Sequence, residues 1–168
     1  LHAVQTYDSF QRNWKIRKNA TSLVSDFSFF PFRIVCISCP TLYRKLKELE
    51  CHNEVVLLEF DKRFECYGDE FIFYDYNDPL GFEERWKGTC DVVMLDPPFL
   101  SEECLTKVSQ TVKFLNPKFI ILCTGAVMEP YAQSLLDLRP CKFKPTHTRK
   151  LGNEFKCFAN YNMDEFCS

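Results

Sequence analysis

The chain has 168 residues, enough for one domain of ordinary size, and 46% of them are hydrophobic with 17 Phe, which supplies a real core and excludes wholesale disorder. A formal net charge of −2 argues against a surface built to neutralise nucleic-acid phosphates. No apolar run approaches the roughly 18 residues of a membrane span, and no N-terminal stretch has the zones of a signal peptide.

The N-terminal 32 residues show no clean period. Asn13-Trp14 stands apart, and Phe27–Phe32 (FSFFPF) fits a core strand and a hydrophobic flap equally. Periodicity begins at Arg33–Ser38 (RIVCIS), a β-branched run that stops at Cys39-Pro40. Thr41–Glu50 follows as a helix, with Leu42, Leu46 and Leu49 on one face and Thr41 as its N-cap. Val55–Phe60 (VVLLEF) reads as a strand covered on both faces, and Asp61–Tyr67 as a helical turn. Glu70–Tyr74 is a third strand and Asp91–Leu95 a fourth, the latter ended by Asp96-Pro97-Pro98. Ser101 caps a helix that Asn116-Pro117 closes; Phe119–Cys123 is a fifth strand and Glu129–Leu138 a helix. Cys141–Pro145 and Phe155–Tyr161 alternate and are expected to close the sheet as an antiparallel pair. Strands separated by helices imply βαβ units, hence one α/β domain over residues 33–168 with a mostly parallel sheet and helices on both faces.

The ten cysteines read as reduced thiols of an intracellular protein, expected in the cytoplasm, because Cys36, Cys66, Cys104, Cys123 and Cys157 sit in apolar or periodic segments. Cys36 and Cys39 form a C-x-x-C, but no second pair or nearby His completes a zinc set, so no metal is expected.

Ligands of an open α/β sheet bind outside the carboxyl ends of the strands. Those ends present Ser38-Cys39-Pro40, then Glu59 and Asp61, then Asp75, then Asp96-Pro97-Pro98-Phe99, then Thr124-Gly125. There is no G-x-x-x-x-G-K-[ST] and no G-x-G-x-x-G, and five Gly in the whole chain do not build a pyrophosphate cradle. A nucleoside without phosphates needs instead an acid for its ribose and a polar group for its adenine; Glu59 suits the first and Asp75 the second, and S-adenosyl-L-methionine is such a ligand. The Pro97-Pro98 turn is rigid and offers no N–H, so one carboxylate, carbonyl oxygens and the Phe99 ring face the crevice. That set accepts N–H bonds from an amine: the Asp96 carboxylate and the Pro97 carbonyl take the hydrogens, and Phe99 packs on the neighbouring carbons.

Strand-D-P-P-F is similar to the [DNS]-P-P-[YFW] motif of amino-methylating class I methyltransferases, first known from adenine-N6 DNA methylases. The blocks RIVCISCPTLYRKL, LLEFDKRFECYGDEFIFYDYNDPL, DVVMLDPPFLSEECLTK, ILCTGAVME and THTRKLGNEFKCFANY, in that order, resemble the methyltransferases that modify a lysine of translation elongation factor 1-alpha. The resemblance implies a Rossmann-like, seven-stranded class I methyltransferase sheet over 33–168, S-adenosyl-L-methionine as donor and a lysine of translation elongation factor 1-alpha as acceptor; separately, a monomer is expected. It puts Ser38, Cys39 and Pro40 in the cofactor loop, Glu59 at the ribose, Asp75 at the adenine and Asp61 as a second acid; Asp96, Pro97, Pro98 and Phe99 form the catalytic set. Residues 1–32 depart from the family, which carries an aromatic Q-F-W-Y stretch after Asn-Trp where this chain has Lys15-Ile16-Arg17-Lys18. Two other readings use the same residues: an adenine-N6 nucleic-acid methyltransferase, and a cofactor-binding variant with impaired catalysis. The cluster Lys142, Lys144, His147, Arg149 and Lys150 reads as a solvated face or as a dock for an acidic surface.

Overall fold

In the computed structural model, residues 32–48, 53–145 and 154–165 are described. Asn13-Trp14, most of Phe27–Phe32, Leu49, His147, Arg149 and Lys150 lie outside them.

Strand β1 (Arg33–Ile37) leads through helix α1 (Pro40–Glu48) to β2 (Glu54–Glu59). A 3-10 segment, Lys62–Glu70, kinks at Gly68 (φ 60°) and feeds the short β3, Phe71–Phe73. Then come β4 (Val92–Leu95), α2 (Glu102–Leu115), β5 (Phe119–Gly125), α3 (Glu129–Leu136), β6 (Arg139–Pro140) and β7 (Phe155–Ala159). They form one seven-stranded sheet in the order β3-β2-β1-β4-β5-β7-β6. The first five strands of that order are parallel, and β7 runs antiparallel to both β5 and β6.

The apolar runs β1, β2 and β4 are buried on both faces because helices cover both. Alternate residues divide between two cores: Val35, Ile37 and Leu95 pack with Leu105 and Val112 of α2, whereas Ile34, Cys36 and Met94 pack with Tyr43 and Leu46 of α1. Ser101 caps α2 as the sequence predicts, its Oγ accepting the Cys104 N–H, and Asn116 ends the helix in the left-handed conformation. Among the described residues no helix is long and apolar enough to cross a membrane.

Three local expectations change. Helix α1 starts at Pro40, so Thr41 is inside it and is not its cap. Proline's fixed φ suits the first helical position, and the Cys39 carbonyl accepts the N–H groups of Leu42 and Tyr43. The antiparallel partner of β7 is Arg139–Pro140, not Cys141–Pro145. The Cys141 N–H still reaches the Cys157 carbonyl at 2.9 Å, but the Lys142 N–H turns to Asp164 Oδ1 at 2.9 Å and the ladder stops. Cys66 is exposed, because the 3-10 segment packs Phe64 and Tyr67, and not Cys66, against the core beside α1.

Tyr74, just past β3, is buried beneath α2. The Thr111 hydroxyl donates to the Pro79 carbonyl at 2.7 Å, so the Tyr74 hydroxyl, 2.8 Å from Thr111 Oγ1, donates to it. This chain of bonds ties residues 74–79 to α2. Burial pushes the Tyr74 phenol up to about 12. A phenol whose folded pKa is raised stabilises the fold fully below about pH 10 and loses that contribution as pH rises through the folded value. We expect Tyr74→Phe to cost about 1 kcal/mol in urea denaturation at pH 7. The gap from the parent should shrink or reverse between pH 10 and 12, the interval set by the raised value.

Candidate functional site

The strand order reverses between β1 and β4, and the carboxyl ends of these neighbours bound the crevice. At the end of β1, Ser38 takes a left-handed backbone (φ 53°) that glycine adopts more readily, and its N–H donates to the Leu58 carbonyl at 2.9 Å. The buried Cys39 thiol donates to the Met94 carbonyl at 3.3 Å. Burial holds that thiol well above its ordinary pKa, so it stays protonated, a structural donor and not a nucleophile. Pro40 opens α1 directly behind it.

Glu59 ends β2 with 2% of its surface exposed. Its Oε1 accepts the N–H groups of Phe60 at 2.8 Å and Asp61 at 3.2 Å, which orients the carboxylate at the lip of the sheet. Asp61 is engaged differently: its Oδ1 accepts the Arg63 N–H at 2.9 Å, and its two oxygens lie 3.0 and 2.8 Å from Arg63 Nε. It is the cap of the 3-10 segment and an ion-pair partner. Asp75 follows β3 and accepts the Asn77 N–H at 2.8 Å, opening a turn.

Asp96 ends β4 with 6% of its surface exposed, and its N–H donates to the Ile37 carbonyl at 3.1 Å. That bond holds the D-P-P-F turn against the end of β1. Pro97 is buried, Pro98 half-buried, and the Phe99 ring is 42% exposed. The structure therefore gathers Ser38, Cys39, Pro40, Glu59, Asp75 and Asp96–Phe99 along one edge, and turns Asp61 towards Arg63.

Further residues complete the edge without standing out in the sequence. The Tyr76 ring meets Phe99 edge-on at 5.6 Å, and Lys107 Nζ lies 5.5 Å over the Tyr76 ring. Lys107 also donates to Asn77 Oδ1 at 2.9 Å and Glu103 Oε1 at 2.7 Å, so it joins the Asp75 turn to α2. The hydrogen bond to Glu103 raises the Lys107 pKa and keeps it charged. The Glu103–Lys107 spacing of four residues was the available signal. Phe60 and Phe73 pack at 5.5 Å beside Glu59, both exposed. At the end of β5, Gly125 touches the turn from behind: a Cβ there would stand 2.9 Å from Leu100 Cδ1.

The edge thus brings together three strand-end acids, with Lys107 bonded to Glu103 and Arg63 to Asp61. Residues 14–163 match the family described as "Probable N6-adenine methyltransferase". The chain belongs to that family. It is 54% identical over 134 residues to EEF1A lysine methyltransferase 1 of Danio rerio, covering 77% of this chain and 81% of that protein. It is 53% identical over 137 residues to the Homo sapiens protein of the same name, covering 80% of this chain and 64% of that one. The chain thus spans less than two thirds of the human relative's length. Among solved structures it is similar in fold to the Mtq2–Trm112 complex of E. cuniculi, described as responsible for methylation of the eRF1 translation termination factor. That likeness has a TM-score of 0.53 at 15% identity, covering 86% of this chain and 93% of that one. The methyltransferase sheet expected from the D-P-P-F motif is thereby found.

Gly125→Val should push Leu100 and the D-P-P-F turn outward. We expect a loss of about 1–3 kcal/mol in chemical denaturation with the circular dichroism of the α/β fold retained. An unchanged stability would show that Leu100 does not hold the turn.

Proposed function

We propose that this chain is an S-adenosyl-L-methionine-dependent protein-lysine N-methyltransferase acting on translation elongation factor 1-alpha. The observation that carries this reading is the buried Asp96 carboxylate on a Pro-Pro turn at the strand-order reversal, beside the exposed Phe99 ring. The names of the relatives support lysine as the acceptor, and residues 33–168 are the part of the chain assigned to the activity. The same reading makes it a monomer of the cytoplasm.

The donor set fits the cofactor. Glu59 is the acid for the ribose hydroxyls and Asp75 the polar group for adenine, with the Ser38-Cys39-Pro40 loop along the remaining edge. Asp61 is the weaker candidate, because Arg63 occupies it. When bound, S-adenosyl-L-methionine supplies an electrophilic methyl group on a positively charged sulfur.

A lysine near pKa 10.4 is almost wholly protonated at pH 7, and freeing its lone pair costs about 4.6 kcal/mol at roughly 1.36 kcal/mol per pH unit. Asp96 and the Pro97 carbonyl accept the remaining N–H bonds of the neutral amine and hold its lone pair on line, a positioning contribution. Phe99 walls the aliphatic stem and offers its ring face to the ammonium, worth about 0.5–2 kcal/mol. Solvent would take the proton that the lysine ammonium loses, and the cofactor, when bound, would supply the methyl group to the nitrogen held by Asp96 and the Pro97 carbonyl.

The test incubates the purified chain with methyl-labelled cofactor and elongation factor 1-alpha, and separately with single-stranded DNA. Label is expected on the protein; label on DNA alone would establish the adenine reading that the family description names. Asp96→Asn is expected to reduce transfer on the order of a hundredfold or more. Its cofactor affinity by calorimetry should stay close to the parent's. Glu59→Gln should instead weaken cofactor binding by about tenfold or more, roughly 1.4 kcal/mol.

A further inference from the structure

Three cysteines that play no part in the proposed chemistry stand in a row across the antiparallel end of the sheet. Cys123 on β5 is registered opposite Cys157 on β7. On the other side of β7, Arg139 faces Ala159 and Pro140 faces Phe158, so Cys141 faces Cys157, and its N–H donates to the Cys157 carbonyl at 2.9 Å. Residues directly opposite in a sheet project to the same face, and all three thiols pack with the core on the α1 side.

The ladder fixes their separations. Ala126 and Asn160 donate to the Glu154 and Ile120 carbonyls at 2.8 and 3.4 Å, which marks the hydrogen-bonded pairs between β5 and β7. Cys123 and Cys157 are therefore a non-hydrogen-bonded pair, with Cα atoms about 4.5 Å apart, whereas Cys141 and Cys157 are of the hydrogen-bonded kind at about 5.5 Å. Both fall inside the window of roughly 4.4–6.8 Å that a disulfide spans.

We propose that Cys141 and Cys157 form a peroxide-oxidised disulfide, with Cys141 as the attacking thiol and Cys157 as the resolving one. Cys141 sits half-buried one residue beyond β6 at the sheet edge, and Cys157 is buried in the centre of the row. The hydrogen bond from the Cys157 thiol lowers the Cys141 pKa and favours its thiolate. That thiolate attacks a hydroperoxide oxygen, the O–O bond breaks, and the leaving oxygen takes a proton, giving a sulfenic acid on Cys141. The Cys157 sulfur then attacks the Cys141 sulfur, the S–O bond breaks and water leaves. Two thiols are oxidised to one disulfide and one hydroperoxide is reduced. The bridge closes residues 142–156 into a covalent loop whose members include Lys142, Lys144 and Lys150.

The experiment needs no methyl acceptor. The reduced chain is titrated with hydrogen peroxide, quenched by alkylation, digested without reductant and mapped by tandem mass spectrometry. The first bridge is expected between Cys141 and Cys157, lost in Cys141→Ser and retained in Cys123→Ser. A first bridge between Cys123 and Cys157 would overturn the assignment. So would alkylatable Cys141 persisting under excess peroxide, or its accumulation as unbridged sulfinic acid.

Discussion

The pairing of β1 with β4 is the constraint on which the rest depends. Strands β2 and β3 extend the sheet to one side of β1 and β4, β5 and β7 to the other, so the loops leaving β1 and β4 diverge and a crevice opens between them. The Asp96 N–H to Ile37 carbonyl bond is the last rung of that pairing, and the carboxylate begins where the ladder ends. Burying an acid is costly unless polar groups surround it. Asp96 keeps 6% of its surface exposed at that strand end.

Two supports keep the crevice in shape. From one side Lys107 and Thr111 of α2 hold the residues after β3, through Asn77, the Tyr76 ring, Tyr74 and the Pro79 carbonyl. From behind, Gly125 lets Leu100 close on β5. Helix α2 thus follows the D-P-P-F turn in the chain and also grips the Asp75 turn. The two turns share one rigid element, and in the proposed reaction that element would fix the line between acceptor and cofactor.

The antiparallel end is separate from this machinery. It completes the sheet with β7 and the two-residue β6, and lines up Cys123, Cys157 and Cys141 by register alone. A row of that kind arises because opposite positions in a ladder share a face, whatever the residues are.

Much of this was legible in the sequence. Apolar runs such as RIVCI and VVML bounded by polar turns specified buried strands, since a strand covered on both faces has no polar side to show. The strand-end acids and the D-P-P-F turn marked the crevice, because proline and a strand-terminal carboxylate act locally. Tertiary structure alone decided the start of α1 at Pro40, the failure of Cys141–Pro145 as a strand, and the turn of Asp61 to Arg63. It also decided the Tyr76–Phe99 contact and the Cys123–Cys157–Cys141 row, which join residues far apart in the chain. Local pattern records which backbone a segment prefers and which face it buries. Which side chains then meet depends on strand order and register, and these are set by the packing of the whole sheet.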